Sequence, residues 1–82
     1  MAKILYFAAL VDKLGCAAED VALPATVNNV RALLAWLRTR GGNWEQALAE
    51  NAVRITVNKQ FVTLETEIDN ACEIALISAR PW

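Results

Sequence analysis

Residues 26–42 read TVNNVRALLAWLRTRGG, and this stretch decides the fold class. Its apolar side chains recur at offsets of 0, 3, 6, 7 and 10, the spacing of one helix face: Val27, Val30, Leu33, Leu34 and Leu37. The pattern predicts a helix from Val27 to about Arg40, with Thr26 as its N-cap and Gly41-Gly42 as its C-terminal stop. A helix with one apolar face must bury it against other elements.

Short strand-like segments lie on both sides of this helix. Residues 3–10 and 19–23 precede it, and residues 53–58, 61–64 and 73–78 follow it. Residues 53–58 alternate strictly between apolar and polar side chains, as a half-buried strand does. A helical turn stopped by Gly15 and a short helix at 44–48 capped by Asn43 complete the pattern. The order predicts an α+β domain spanning residues 1–82, with one sheet and the main helix across one face.

The predicted core is the contact between that helix and the sheet. The helix is expected to bury Val30, Leu33, Leu34 and Leu37. The strand residues expected to face it alternate with polar neighbours: Ile4, Tyr6, Ile55, Val57, Ile74 and Leu76.

Composition excludes several classes of function. The 82 residues are 56% hydrophobic and carry a net charge of -1, so the chain should fold and shows no basic footprint for nucleic acid or anionic membranes. It contains no histidine, which excludes His-dependent catalytic sites and His-containing zinc sites, and its two cysteines cannot hold a metal by themselves, so we expect no metal or cofactor. The apolar run after Lys3 is short and is followed by Asp12 and Lys13, unlike a signal sequence. We expect a cytoplasmic protein.

The remaining reactive side chains favour structural roles. Cys16 and Cys72 are interpreted as two buried thiols of a cytoplasmic protein, with a disulfide as the alternative. The carboxylates of Glu65, Glu67 and Asp69 lie on a polar connection, typical of a solvated loop rather than of an acid and base pair. We therefore see no independent active site. Trp36 lies off the apolar stripe of the helix. It is either an exposed residue that contacts another protein or a residue that covers the edge of the core.

Charged residues identify the side of each strand that meets water. In the first strand Lys3 shares its face with Leu5 and Phe7, and in the last strand Glu73 shares its face with Ala75 and Ile77. The main helix occupies the other side, so nothing long remains to cover this one. We predict an exposed apolar surface that binds a protein, formed by Leu5, Phe7, Phe61, Ala75 and Ile77. The alternative is that a short helix or loop covers it.

The chain resembles the ubiquitin-like β-grasp sulfur carriers, and among them the small subunits of molybdopterin synthase. The likeness rests on residues 3–8 with Leu14-Gly15, the main helix, residues 44–48, Val57-Asn58 with Phe61-Val62, and residues 73–76. It implies a five-stranded mixed β-grasp sheet and a role in molybdenum cofactor biosynthesis. It also implies docking on the synthase large subunit or on an ATP-dependent adenylating enzyme, with the contact surface at Phe7, Phe61 and Ile77.

The carriers of this family have a flexible Gly-Gly terminus whose carboxylate is adenylated and converted to a thiocarboxylate. In this chain the corresponding positions are Arg80, Pro81 and Trp82, and no glycine follows Gly42. Proline fixes φ and tryptophan is bulky, whereas a narrow tunnel in a partner admits a backbone without side chains. Two hypotheses result: a carrier-like synthase subunit, or a β-grasp interaction module that has lost the carrier chemistry.

Overall fold

A computed structural model describes residues 1–79 of the chain. Its elements in chain order are β1 (Ala2–Phe7), α1 (Ala9–Leu14), β2 (Ala18–Val21), α2 (Val30–Arg38), α3 (Asn43–Ala47), β3 (Val53–Val57), β4 (Gln60–Phe61) and β5 (Glu73–Ser78). The sequence predictions for Arg80, Pro81 and Trp82 lie outside the described residues. Among residues 1–79, no helix combines the length and the apolar character that a bilayer crossing requires.

The five strands form one mixed sheet in the order β2-β1-β5-β3-β4. Strands β1 and β5, the first and the last along the chain, lie side by side and parallel at its centre. The other neighbouring pairs are antiparallel. The predicted α+β class, with a five-stranded mixed sheet of β-grasp type and one main helix across one face, is confirmed.

The core lies between α2 and the sheet. Val30, Leu33, Leu34 and Leu37 are fully buried, as their helical spacing predicts. The opposing sheet residues are also buried, and they belong to the same apolar cluster: Ile4, Tyr6, Ile55, Val57, Ile74 and Leu76. Trp36 is partly buried and packs against this cluster, so it contributes to the core's edge.

Helix α2 begins three residues later than predicted. Its N-cap is Asn29, whose side chain accepts a hydrogen bond from the Ala32 N–H at 2.8 Å, and not Thr26. The backbone N–H groups of Val30 and Arg31 donate to carbonyl groups in the 64–66 segment. This long-range contact satisfies the first donors of the helix, and helical spacing alone does not reveal it.

Three other element boundaries differ from the prediction. Strand β1 ends at Phe7 because Ala8 has a positive φ of 59° and turns the chain into α1. Strand β2 ends at Val21, and the Leu23 N–H instead donates to the Asn70 side chain. Strand β4 contains only two residues, since the chain then leaves the sheet toward α2.

The ends of the short helices also follow from local contacts. Gly15 stops α1 as predicted, with φ of 78° and its N–H donated to the Val11 carbonyl. The predicted cap at Asn43 is wrong, because Gly42 holds the N-cap position of α3. The Asn43 side chain instead donates to the Lys13 carbonyl and ties α3 to α1.

Candidate functional site

The side of the sheet away from α2 is the candidate site, and we call it the open face. Its residues alternate along each strand with the buried residues of the core. One row of side chains, the apolar row, crosses all five strands in the order Ala18, Leu5, Ala75, Thr56 and Phe61. The prediction that Phe61 shares a face with Leu5 and Ala75 therefore agrees with the strand register.

Two shorter rows lie on either side of the apolar row. Phe7, Ile77 and Arg54 pair across β1, β5 and β3 at the C-terminal ends of β1 and β5. Asp20, Lys3 and Glu73 pair across β2, β1 and β5 at the opposite end. The open face is thus apolar in the middle, aromatic and basic at one end, and mixed in charge at the other.

The five residues predicted to bind a partner differ in exposure. Phe61 is 68% exposed and Phe7 is 46% exposed, both high for large apolar side chains. Leu5 and Ile77 are half-buried. Ala75 lies on the same face but is only 8% exposed, because its short side chain sits between Leu5 and Thr56. The expectation that Ala75 is exposed is therefore wrong, and it forms the floor of the face.

A tight turn between β3 and β4 positions Phe61. Val57 and Gln60 are partners, so Asn58 and Lys59 form a two-residue turn, with φ of 51° and 72°. Positive φ at both positions is the hairpin geometry that Asn tolerates well. The Asn58 side chain also accepts a hydrogen bond from the Glu73 N–H at 3.0 Å. Asn58 is a positioning residue that the sequence analysis missed, although its place between two strand-like segments is a signal for it.

A polar cluster lies on the opposite side of the sheet, beside β2. Arg40 donates to both oxygens of the Glu19 carboxylate, at 2.6 and 3.0 Å. Its guanidinium lies 4.3 Å from the centre of the Trp44 ring, and Trp44 packs edge-on against Tyr6. The Cys16 thiol lies 3.7 Å from the same carboxylate. These contacts tie β2 to the end of α2 and to α3.

The electrostatics of this cluster favour stability over catalysis. Hydrogen bonds from Arg40 lower the pKa of Glu19, so the ion pair persists at neutral pH. Burial, and then the Glu19 charge, raise the pKa of the Cys16 thiol. A thiol with a raised pKa is a poor nucleophile. Cys16 and Cys72 are both free, so the structure contains no disulfide between them, and both are only half-buried, so the expectation that they are buried is wrong.

The three carboxylates of the 65–69 connection do not converge on one site. Glu65 forms an exposed ion pair with Arg31, which also pairs with Glu50. Asp69 accepts a hydrogen bond from the Ala71 N–H within a local turn, and the Cys72 thiol lies 3.4 Å from it. Within residues 1–79, no group of three acidic or sulfur side chains is placed to hold a metal ion.

Comparisons with known proteins agree with this architecture. A putative molybdopterin converting factor subunit 1 from Pyrococcus furiosus aligns with a TM-score of 0.75 at 23% identity, covering 94% of each chain. SAMP1 from Haloferax volcanii aligns with a TM-score of 0.76 at 16% identity, covering 99% of this chain and 97% of its own. A second structure, of H. volcanii small archaeal modifier protein 1, aligns with a TM-score of 0.65 at 19% identity over 94% of each chain.

At these identities the structural matches establish the fold. No curated protein sequence matches the chain. The family model described as ThiS matches residues 4–80, which is nearly the whole sequence. The chain therefore belongs to the ThiS family of β-grasp proteins.

Proposed function

We propose that this protein is a sulfur-carrier-like subunit of molybdenum cofactor biosynthesis that docks by its open face on a larger protein. The partner is the large subunit of a molybdopterin synthase or an ATP-dependent adenylating enzyme. The observation that carries the proposal is the apolar row with exposed Phe7 and Phe61, on a sheet face that no helix within residues 1–79 covers. The name of the Pyrococcus furiosus neighbour, a putative molybdopterin converting factor subunit, supports the choice of pathway.

The shape of the open face suits protein docking. Phe7 and Phe61 project from the sheet as two anchors, and burying a large apolar side chain contributes about 1.5–3 kcal/mol. Ile77 of β5 lies next to Phe7, and Leu5 of β1 lies next to Ala75. Ala75 leaves a shallow floor that accepts a partner side chain. Exposed aromatic residues around a flat apolar centre are typical of sites that dominate binding energy.

The end of β5 lies beside this surface. Ile77 belongs to the face, and two residues later the Ala79 N–H donates to the Ala52 carbonyl at 2.9 Å. A partner docked on Phe7 and Ile77 therefore lies next to the point at which residue 80 begins. A carrier whose reactive group follows the last strand needs this arrangement, because the docked enzyme must reach that group.

The alternative function is a β-grasp interaction module without carrier chemistry. Arg80, Pro81 and Trp82 favour it, since these side chains stand where the family's carriers have Gly-Gly. In this alternative the open face still docks on a protein, but no thiocarboxylate forms. The two functions therefore share a binding surface and differ in one chemical product.

Calorimetric titration with the synthase large subunit of the source organism tests the docking. Phe7→Ala and Phe61→Ala should each weaken binding by more than about 1 kcal/mol, because each removes an aromatic side chain that the complex would bury. Gln46→Ala is the matched control, since Gln46 is exposed on α3, on the other side of the sheet. Wild-type affinity in both phenylalanine variants, with folding intact, would remove the open face as the docking site.

A further inference from the structure

The open face carries charged side chains without partners. Within residues 1–79, Lys3, Arg54 and Glu73 form no ion pair, although Lys3 and Glu73 are neighbours across β1 and β5. Arg54 lies on one side of the apolar row, and Lys3 and Glu73 lie on the other. A partner that buries the apolar row must therefore place an acidic group near Arg54. At the opposite end it must accommodate both the positive charge of Lys3 and the negative charge of Glu73.

A second copy of the same face meets both requirements. A two-fold axis along the apolar row places the row with Phe7, Ile77 and Arg54 of one copy over the row with Lys3 and Glu73 of the other copy. It also brings Phe61 against its own counterpart and the strands into antiparallel, aligned packing, as in β-sandwiches. Arg54 then lies about 5 Å, one strand spacing, to the side of Glu73 of the other copy, within reach of an arginine side chain.

We propose that the open face binds a second copy of this chain about this axis, with Arg54 of each copy paired to Glu73 of the other. Lys3 of each copy faces Phe7 of the other in the same arrangement, a cation over an aromatic ring. The apolar row packs against itself and removes Phe61, the more exposed of the two phenylalanines, from water.

The size of the face predicts a weak dimer. Five strands about 4.8 Å apart, with residues about 3.3 Å apart along each strand, give a face of about 20 by 20 Å, so the two faces together bury about 800 Å². This area is below the roughly 1,200 Å² at which stable specific interfaces begin, so the dimer should be weak and dissociate readily. The dimer itself needs no other protein. If the proposed function holds, the dimer and the larger partner compete for the same surface, and this consequence alone rests on the proposed function.

Sedimentation equilibrium of the purified chain, up to about 1 mM, tests the dimer. We expect a monomer–dimer equilibrium whose dissociation constant rises roughly tenfold or more in Arg54→Glu, because like charges then face each other. Adding Glu73→Arg to Arg54→Glu should restore the wild-type constant. The matched control is Arg54→Glu with Glu45→Arg, which has the same net charge but places the new arginine on α3. This control should stay weakened.

Two results would overturn the proposal. One is a chain that stays monomeric over the whole concentration range. The other is a dimer whose constant is unchanged in Arg54→Glu or is not restored by Glu73→Arg. Circular dichroism of each variant shows that the fold is intact. Because these measurements contain no synthase subunit, failure of the docking proposal leaves their outcome unaffected, and failure of the dimer leaves the docking titration to stand on its own.

Discussion

Asn58 and Glu73 exchange two hydrogen bonds that hold the β3–β4 turn against β5. The Asn58 N–H donates to the Glu73 carbonyl at 2.8 Å, and the Asn58 Oδ1 accepts from the Glu73 N–H at 3.0 Å. Asn58 also has a positive φ of 51°. Asn58 thus pairs with the backbone N–H and carbonyl of Glu73 at the start of β5, adopts a positive φ and sets the position of Phe61.

Replacing Asn58 separates these contributions. Asn58→Ala should lower the free energy of unfolding by about 1–3 kcal/mol, because it removes a hydrogen bond and puts a poorly suited residue at positive φ. Asn58→Gly keeps the backbone freedom without the acceptor, and Asn58→Asp keeps the acceptor, so both should lose less. Denaturant titration measures all three. An Asn58→Ala variant as stable as the wild type would mean that the side chain does not hold the turn.

Leu34 tests the predicted helix face. It is fully buried between α2 and the sheet. Leu34→Ala should cost about 2–5 kcal/mol of unfolding free energy, since it leaves a cavity in a small core. Leu34→Met nearly conserves the volume and should cost less than about 1.5 kcal/mol. Equal denaturation midpoints for the two variants would contradict the packing described for this helix.

The buried position of Tyr6 predicts that the folded chain loses stability at high pH. Burial, and then the nearby Glu19 charge, raise the pKa of this phenol in the folded chain. Above the unfolded value of about 10, the unfolded chain ionises its tyrosine and the folded chain does not, so the free energy of unfolding falls as pH rises. The contribution of the neutral, buried Tyr6 to the free energy of unfolding is fully present below about pH 10.

The chain has a single tyrosine, so the effect of Tyr6 can be isolated. Denaturant titrations at about pH 8 and pH 11 should show a larger loss in the wild type than in Tyr6→Phe. The tyrosinate absorbance should appear together with unfolding rather than before it. Ionisation of Tyr6 in a chain that remains folded, near the ordinary pKa of tyrosine, would refute this account of its environment.

The chemistry of residues 80–82 is tested by two substitutions. A chain of these 82 residues, incubated with the adenylating enzyme, ATP and a sulfur donor, should gain no thiocarboxylate, because the proposed function requires a narrow tunnel in the partner that proline and tryptophan at positions 81 and 82 would obstruct. Pro81→Gly with Trp82→Gly should restore the modification. Intact mass spectrometry detects it as the exchange of one oxygen for sulfur. Pro81→Ala with Trp82→Ala controls for the loss of bulk alone.

A wild-type chain that acquires the thiocarboxylate at Trp82 would refute the obstruction. If no variant is modified, the interaction module without carrier chemistry is the better proposal. The docking titration does not depend on these outcomes, because Phe7 and Phe61 are unchanged in both double variants.

Residue alternation made much of the fold and of the candidate site predictable. The spacing of Leu33, Leu34 and Leu37 identified the buried face of α2, and strand alternation placed Leu5 and Phe7 on the open face. Both inferences need only the period of a single element. They therefore do not depend on which elements become neighbours.

The features that the sequence analysis missed depend on contacts between distant segments. Asn29 caps α2 where the 64–66 segment accepts hydrogen bonds from the helix start, and Ala75 is shielded by residues of two neighbouring strands. The ion pair between Glu19 and Arg40 joins residues 21 positions apart. No local pattern marks such pairs, since their geometry exists only once the sheet order is set.

The parallel pairing of β1 with β5 has a consequence for synthesis on the ribosome. The two central strands are the first and the last to emerge, so the middle of the sheet cannot form until Ser78 has left the exit tunnel. Until then β1 can pair only with β2, and the apolar side of α2 has no complete surface to cover it. The domain is therefore expected to complete its folding only after β5 has emerged, and a nascent chain stalled before β5 should be a better chaperone substrate than the folded domain.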